Sequence, residues 1–380
     1  MAVLQSEKIP VEPALDNASE GNETFFIPTE YKTYSRKYIM KKLFFLAAVF
    51  CVISLQAVTA SGKVENSESS NLVIYAYDSF VSEWGPGPVV IPLFEEEYGV
   101  KVNLISAGDS GQVLQKAILE KDNPKADILI GIDNNLLAKA LEESIFSPYK
   151  PENISKVQKK LLFDPECNVI PFDYGFFSII YDSQKIKDPP ASLEDLLQPK
   201  YKKSLIMMDP RTSSPGLGFL LWTISEYGDN FTDYWTKLKG SILTVTDGWD
   251  TGYGLFTNGE APMVLSYTTS PAYHVEYENT TRYRAAVFPE GHYMQIEGLG
   301  IVKNAPNRKM AEKFVEFALS KEFQNAIPLT NWMYPASDEV NLPDSFDYAP
   351  VPEKKLLLPS NEIRENVDKW LTQWTDSVTK

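Results

Sequence analysis

The chain has 380 residues, 43% hydrophobic and 23% charged, a composition that fits a folded globular protein and excludes a disordered or multi-span membrane chain. Its 51 Asp and Glu against 36 Lys and Arg leave a net charge of −15, which argues against a nucleic-acid binder. At roughly 150 residues per domain, the length allows about two cores.

Residues 1–39 are polar and aperiodic and read as a non-native or mis-assigned extension. Met40-Lys41-Lys42 then leads into an apolar run from Leu43 to Leu55, followed by small residues up to Ala60. This is the layout of a secretory signal peptide over residues 40–60, cut after Ala60. The competing reading is a membrane anchor, for which residues 43–60 are barely long enough. Residues 61–70, rich in Ser, Glu and Asn, read as a flexible tether. The exported chain keeps a single cysteine, Cys167, so no internal disulfide is available and stability must come from the core.

From Asn71 onward, short β-branched runs alternate with helical stretches. Leu72–Tyr77, Val100–Ile105 and Ala126–Gly131 read as strands; Val89–Tyr98 and Gly111–Glu120 read as helices between them. Strand-helix-strand-helix-strand implies a parallel sheet with covered faces. Two longer extended runs, Val169–Tyr181 and Val287–Val302, can leave one sheet and enter another. Between them lie strands at Ser204–Met208, Leu243–Thr246 and Met263–Tyr267, with a helix after Pro215; helices at Met310–Leu319, Lys321–Ala326 and Asn361–Val378 complete the chain. The expected architecture is two α/β lobes joined by two crossings, with a cleft between. Residues 71–173 and 288–380, including the last helix, form the first lobe, and residues 174–287 the second.

Several chemistries lose their main signals. The two histidines, His274 and His292, lack metal-ligand spacing, and there is no Cys-x-x-Cys pair. Phosphate-loop, dinucleotide-binding and Gly-x-Ser-x-Gly motifs are also missing. The residues point to a protein that binds rather than reacts, with neither cofactor nor metal.

Aromatic residues recur in loops beside small polar ones: Tyr77, Trp84 before Gly85-Pro86-Gly87-Pro88, Trp249 in Asp247-Gly248-Trp249-Asp250, Tyr267 and Tyr273, and Trp332. Rings at the carboxyl ends of strands in an open α/β sheet lie where ligands bind. With a carboxylate such as Asp109 nearby, they suit a flat organic cation, each cation–π contact contributing about 0.5–2 kcal/mol. The competing reading of each ring is a large core residue. Asp209–Gly218 contains Ser213-Ser214-Pro215 ahead of an apolar helix, a generic oxyanion cradle or a plain N-cap; Ser110-Gly111 offers a weaker version.

Longer stretches carry a family resemblance. Tyr77-Asp78-Ser79-Phe80 with Trp84–Pro88, Gly131–Leu137, Pro171–Gly175, Asp209–Gly218, Leu265–His274, Glu290–Tyr293 and Phe323–Pro335 together resemble the periplasmic thiamine-binding proteins of bacterial ABC importers, over roughly residues 72–376. The resemblance implies a type II periplasmic binding protein fold, periplasmic and monomeric, that closes on thiamine and on its mono- and diphosphate and delivers them to membrane permease and ATPase subunits. It places the thiamine rings and cation among Tyr77, Asp109, Trp249, Tyr267, Tyr273 and Trp332, and the phosphate end at Ser213. Trp84, Ser214 and Ser110 join these from the residue reading. Segments 146–168 and 340–360 depart from the family pattern. Two alternatives stand beside this one: a binder of another organic cation such as a polyamine, and a thiaminase-like enzyme using Cys167, whose acidic neighbours Asp164 and Glu166 should raise its thiol pKa.

Overall fold

The computed structural model describes residues 71–379, so the extension, signal segment and tether lie outside the described residues. The first strand, β1 (Asn71–Ala76), pairs in parallel with β2 (Lys101–Ser106) and β3 (Ile128–Asp133). Helices α1 (Asp78–Val81), α2 (Gly87–Tyr98), α3 (Ser110–Glu120) and α4 (Leu137–Glu142) surround them. Local chemistry sets these boundaries. A left-handed Gly99 (φ 65°) ends α2, and Asp109 with Gln112 forms a capping box at the start of α3.

The 13-residue β4 (Ile170–Asp182) is the first crossing. Phe172 and Phe176 belong to one hydrophobic core, and Phe177, Ile179 and Ile180 to a second. The second core is built on β5 (Leu205–Met208), α5 (Ser214–Tyr227), α6 (Phe231–Leu238), β6 (Ile242–Thr246), α7 (Trp249–Thr257), β7 (Met263–Tyr267) and β8 (Tyr283–Ala285), while α8 (Ser270–Glu278), which falls between the last two, places its Ala272 in the first core. Buried from Ser214 through Ile224, α5 is the central helix of this lobe. Its Phe219 packs edge to face on Trp222 of the same helix and on Trp235 of α6, each such residue contributing about 1.5–3 kcal/mol by burial.

The return crossing is β9 (His292–Ile301), antiparallel to both β3 and β4. The order β2-β1-β3-β9-β4-β7-β5-β6 therefore mixes parallel outer parts with antiparallel crossings. Residues 287–291, expected to be extended, instead turn at Gly291 (φ 111°), whose N–H bonds to the Phe288 carbonyl. His292 pins the crossings: its Nε2 accepts the Phe288 N–H at 2.8 Å, leaving Nδ1–H to donate to the Phe177 carbonyl at 2.7 Å. Burial pushes its pKa down and keeps it neutral.

Helices α9 (Arg308–Ala318) and α10 (Lys321–Thr330) return to the first core, followed by the short strands β10 (Tyr334–Pro335) and β11 (Lys355–Leu356). The last helix, α11 (Ser360–Thr379), corrects the sequence expectation. Expected in the first lobe, it places its buried Ile363, Trp370 and Trp374 in the second core, with Trp374 edge-on to Trp235 at 5.8 Å. Amphipathic periodicity tells which face of a helix is buried but not which lobe covers it.

Candidate functional site

A cavity of about 420 Å³ lies between the two cores, at the carboxyl ends of β1, β2, β6 and β7. Its wall includes Tyr77, Trp84, Asp109, Ser110, Ser214, Trp249, Tyr267, Tyr273 and Trp332, nine residues singled out from the sequence. Ser213 is not on the wall. It is buried and accepts the Gly216 N–H as the N-cap of α5. Ser213→Ala is expected to cost about 1 kcal/mol of stability in a denaturant titration; an unchanged unfolding midpoint would mean that the hydroxyl does not hold the helix end.

The aromatic walls are held from behind. Trp249 opens α7; its indole Nε1 donates to Ser266 Oγ at 2.9 Å, and its ring stacks on Tyr253 one turn later at 4.8 Å. Trp84, on the opposite lobe and half exposed, tilts over it at 6.3 Å. Tyr253 in turn bonds His274 Nε2 at 2.8 Å, and Nδ1 of that histidine meets Glu278 at 2.8 Å. Across the cavity, Tyr273 meets Trp332 edge to face at 5.3 Å. Trp332 has a φ of 56°, a left-handed conformation costly for a bulky residue, which the surrounding packing imposes.

Asp109 is held by backbone. Its Oδ1 accepts the N–H groups of Ser110 (2.6 Å) and Ser214 (3.1 Å), and its Oδ2 that of Trp249 (3.0 Å). These are the first residues of α3, α5 and α7, so one carboxylate from the first lobe joins three positive helix ends, two of them in the second lobe. Burial pushes its pKa up, and the N–H groups of Ser214 and Trp249 hold it back. The close approach depends on Gly111, where an added Cβ would lie 2.5 Å from the Thr212 carbonyl oxygen of the facing lobe.

Six carboxylate residues line the cavity: Asp78, Asp109, Asp247, Asp250, Glu278 and Glu297. No lysine or arginine lines it among the described residues. Asp250, one residue after Trp249, has a buried Oδ1 without a hydrogen-bond partner, and burial, with Asp78 and Asp109 nearby, pushes its pKa up to about 6. Tyr77 donates to Glu297 at 3.0 Å, and Tyr267 to Gln295 at 2.6 Å. Sequence reasoning missed Asp250, Glu278, Glu297 and Asn331. Two signals were available: Asp250 adjoins a singled-out tryptophan, and Glu297 is a charge inside a run otherwise fit for a doubly covered strand. Cys167 is not on the wall; burial first and Asp164 next push its thiol pKa up, so a Cys167-centred chemistry has no nucleophile at this cavity.

Two α/β lobes joined by paired crossing strands, with an aromatic and acid-lined cavity between them, define a solute-binding protein of the type II periplasmic fold. The chain belongs to the bacterial extracellular solute-binding protein family, whose profile matches residues 123–366. It is 43% identical over 335 residues to a thiamine-binding periplasmic protein of Brucella melitensis, covering 88% of this chain and 97% of that one. A protein of the same description from Escherichia coli is 41% identical over 313 residues, 81% of this chain and 94% of its own. Among solved structures, a periplasmic thiamin binding protein superposes with a TM-score of 0.77 at 40% identity, covering 82% of this chain and 96% of that chain.

Proposed function

We propose that the protein, exported to the periplasm, captures thiamine in this cleft and delivers it as a monomer to the permease and ATPase subunits of an ABC importer. The carrying observation is the wall itself: stacked aromatics with six carboxylates and no cationic side chain among the described residues. Thiamine joins a thiazolium cation to an aminopyrimidine, so it offers two flat rings to the aromatics and a permanent positive charge to the acids. A volume of about 420 Å³ falls within the range of about 300–1,000 Å³ for small-molecule sites. The names of the relatives support the same ligand.

The reading extends to thiamine mono- and diphosphate. Their phosphate end would meet the backbone N–H groups at the helix starts around Ser110 and Ser214, with Asp109 yielding part of its hold. No bond is made or broken, consistent with relatives named for binding. A competition titration tests the ligand class: thiamine is expected to displace a fluorescent thiamine analogue stoichiometrically, whereas spermidine should not at a hundredfold excess. Displacement by spermidine at equal concentration would replace this reading with a polyamine one.

A further inference from the structure

Three acids lie side by side across neighbouring strands. In the antiparallel registers Glu297 of β9 is opposite Asp133 of β3 on one side and opposite Asp173 of β4 on the other. All three are buried, and like charges directly opposed across strands are destabilising, so this row needs a proton or a cation. Their partners differ. Asp133 accepts from the Asn135 and Leu136 N–H groups, Ser214 Oγ and Gln295 Nε2, a full set of donors for an ionised carboxylate. Asp173 takes Asn331 Nδ2 on Oδ2 at 2.6 Å, while its buried Oδ1 has no donor. Glu297 takes the Tyr77 hydroxyl and lies on the cavity wall.

We propose that Asp173 and Glu297, of which Glu297 lines the cavity, form a shared-proton carboxyl pair that reads the ligand's positive charge, giving up one proton to solvent as the cation enters. The groups acting on the pair are Asp133 from β3, the Tyr77 phenol beyond β1 and the Asn331 amide beyond α10; Tyr267 of β7 faces the same acids, and no cation is among them. Burial, and for Glu297 also the Asp173 charge, pushes both pKa values far above the usual carboxylate range, so the empty pair keeps a proton at neutral pH. A bound cation favours the ionised pair and lowers its pKa. Binding therefore releases a proton between the bound and free pKa values, and affinity rises with pH across that window, approaching tenfold per pH unit.

This inference rests on the thiamine reading, and its test separates the two. Thiamine is titrated into the wild-type protein by calorimetry at pH 7 and 8 in phosphate and in Tris, whose different ionisation heats report the protons exchanged. The expected result is release of about one proton, with affinity higher at pH 8. Glu297→Gln should bind thiamine at least tenfold more weakly, release no proton and lose the pH dependence; Asp173→Asn serves as the second variant should the first not fold. Wild-type binding without proton release overturns the inference and leaves the ligand reading standing. Proton release unchanged in both variants assigns the proton elsewhere and also overturns it, and a folded wild-type protein that ignores thiamine defeats both readings.

Discussion

Trp249→Ala is expected to weaken thiamine binding at least tenfold, about 1.4 kcal/mol. Three contacts fix the ring: the Ser266 hydroxyl on its indole N–H, Tyr253 stacked behind it and Trp84 in front. Truncation removes a cation–π partner contributing about 0.5–2 kcal/mol together with the apolar area that the ligand buries. The Trp249 backbone N–H that reaches Asp109 is retained by alanine, so the measured loss belongs to the ring. Fluorescence or calorimetric titration reads it, and Trp249→Phe should recover part of the affinity. An unchanged dissociation constant for the alanine variant would remove this wall from the site.

Gly111→Ala is expected to separate folding from closure. Gly111 sits in the first turn of α3, where alanine favours the helix by about 1 kcal/mol, so the ligand-free protein should melt no lower than wild type. The new methyl, however, would lie 2.5 Å from the Thr212 carbonyl oxygen and 2.9 Å from its carbon, both backbone atoms with little room to yield. The lobes would then be held apart at the point where Asp109 gathers the helix starts of the second lobe. Thiamine affinity should fall at least tenfold, with a matching loss of the thermal shift on adding thiamine. Wild-type affinity in this variant would mean that capture does not require the approach seen here.

Much of the fold is legible in the sequence because local physics sets it. The apolar run of β1, the capping box at Asp109, Pro215 at the start of α5 and the long β4 all have short-range causes. Contacts made by distant partners are not legible. Nothing local says that Trp374 packs on Trp235 rather than in the first lobe, and nothing in Ser213-Ser214 says that the first hydroxyl caps its helix while the second donates to Asp133 at 2.6 Å. The aromatic wall was visible because rings in loops beside small residues have a recognisable setting. Its acids were only half visible. Asp109 could be suspected from its place before a helix, but the row of Asp133, Glu297 and Asp173 exists only through strand pairings between residues far apart in the chain. Asp109 also changes character in three dimensions, from a free partner for a cation to a carboxylate already engaged by three helix starts.

The most direct test of the central claim is a calorimetric titration of the purified protein with thiamine, after unfolding and refolding to strip any ligand carried through purification. The account predicts tight one-to-one binding with the thiamine recovered chemically intact. The absence of heat and of any thermal shift in a demonstrably refolded protein would contradict it, and recovery of separated pyrimidine and thiazole would replace capture with cleavage.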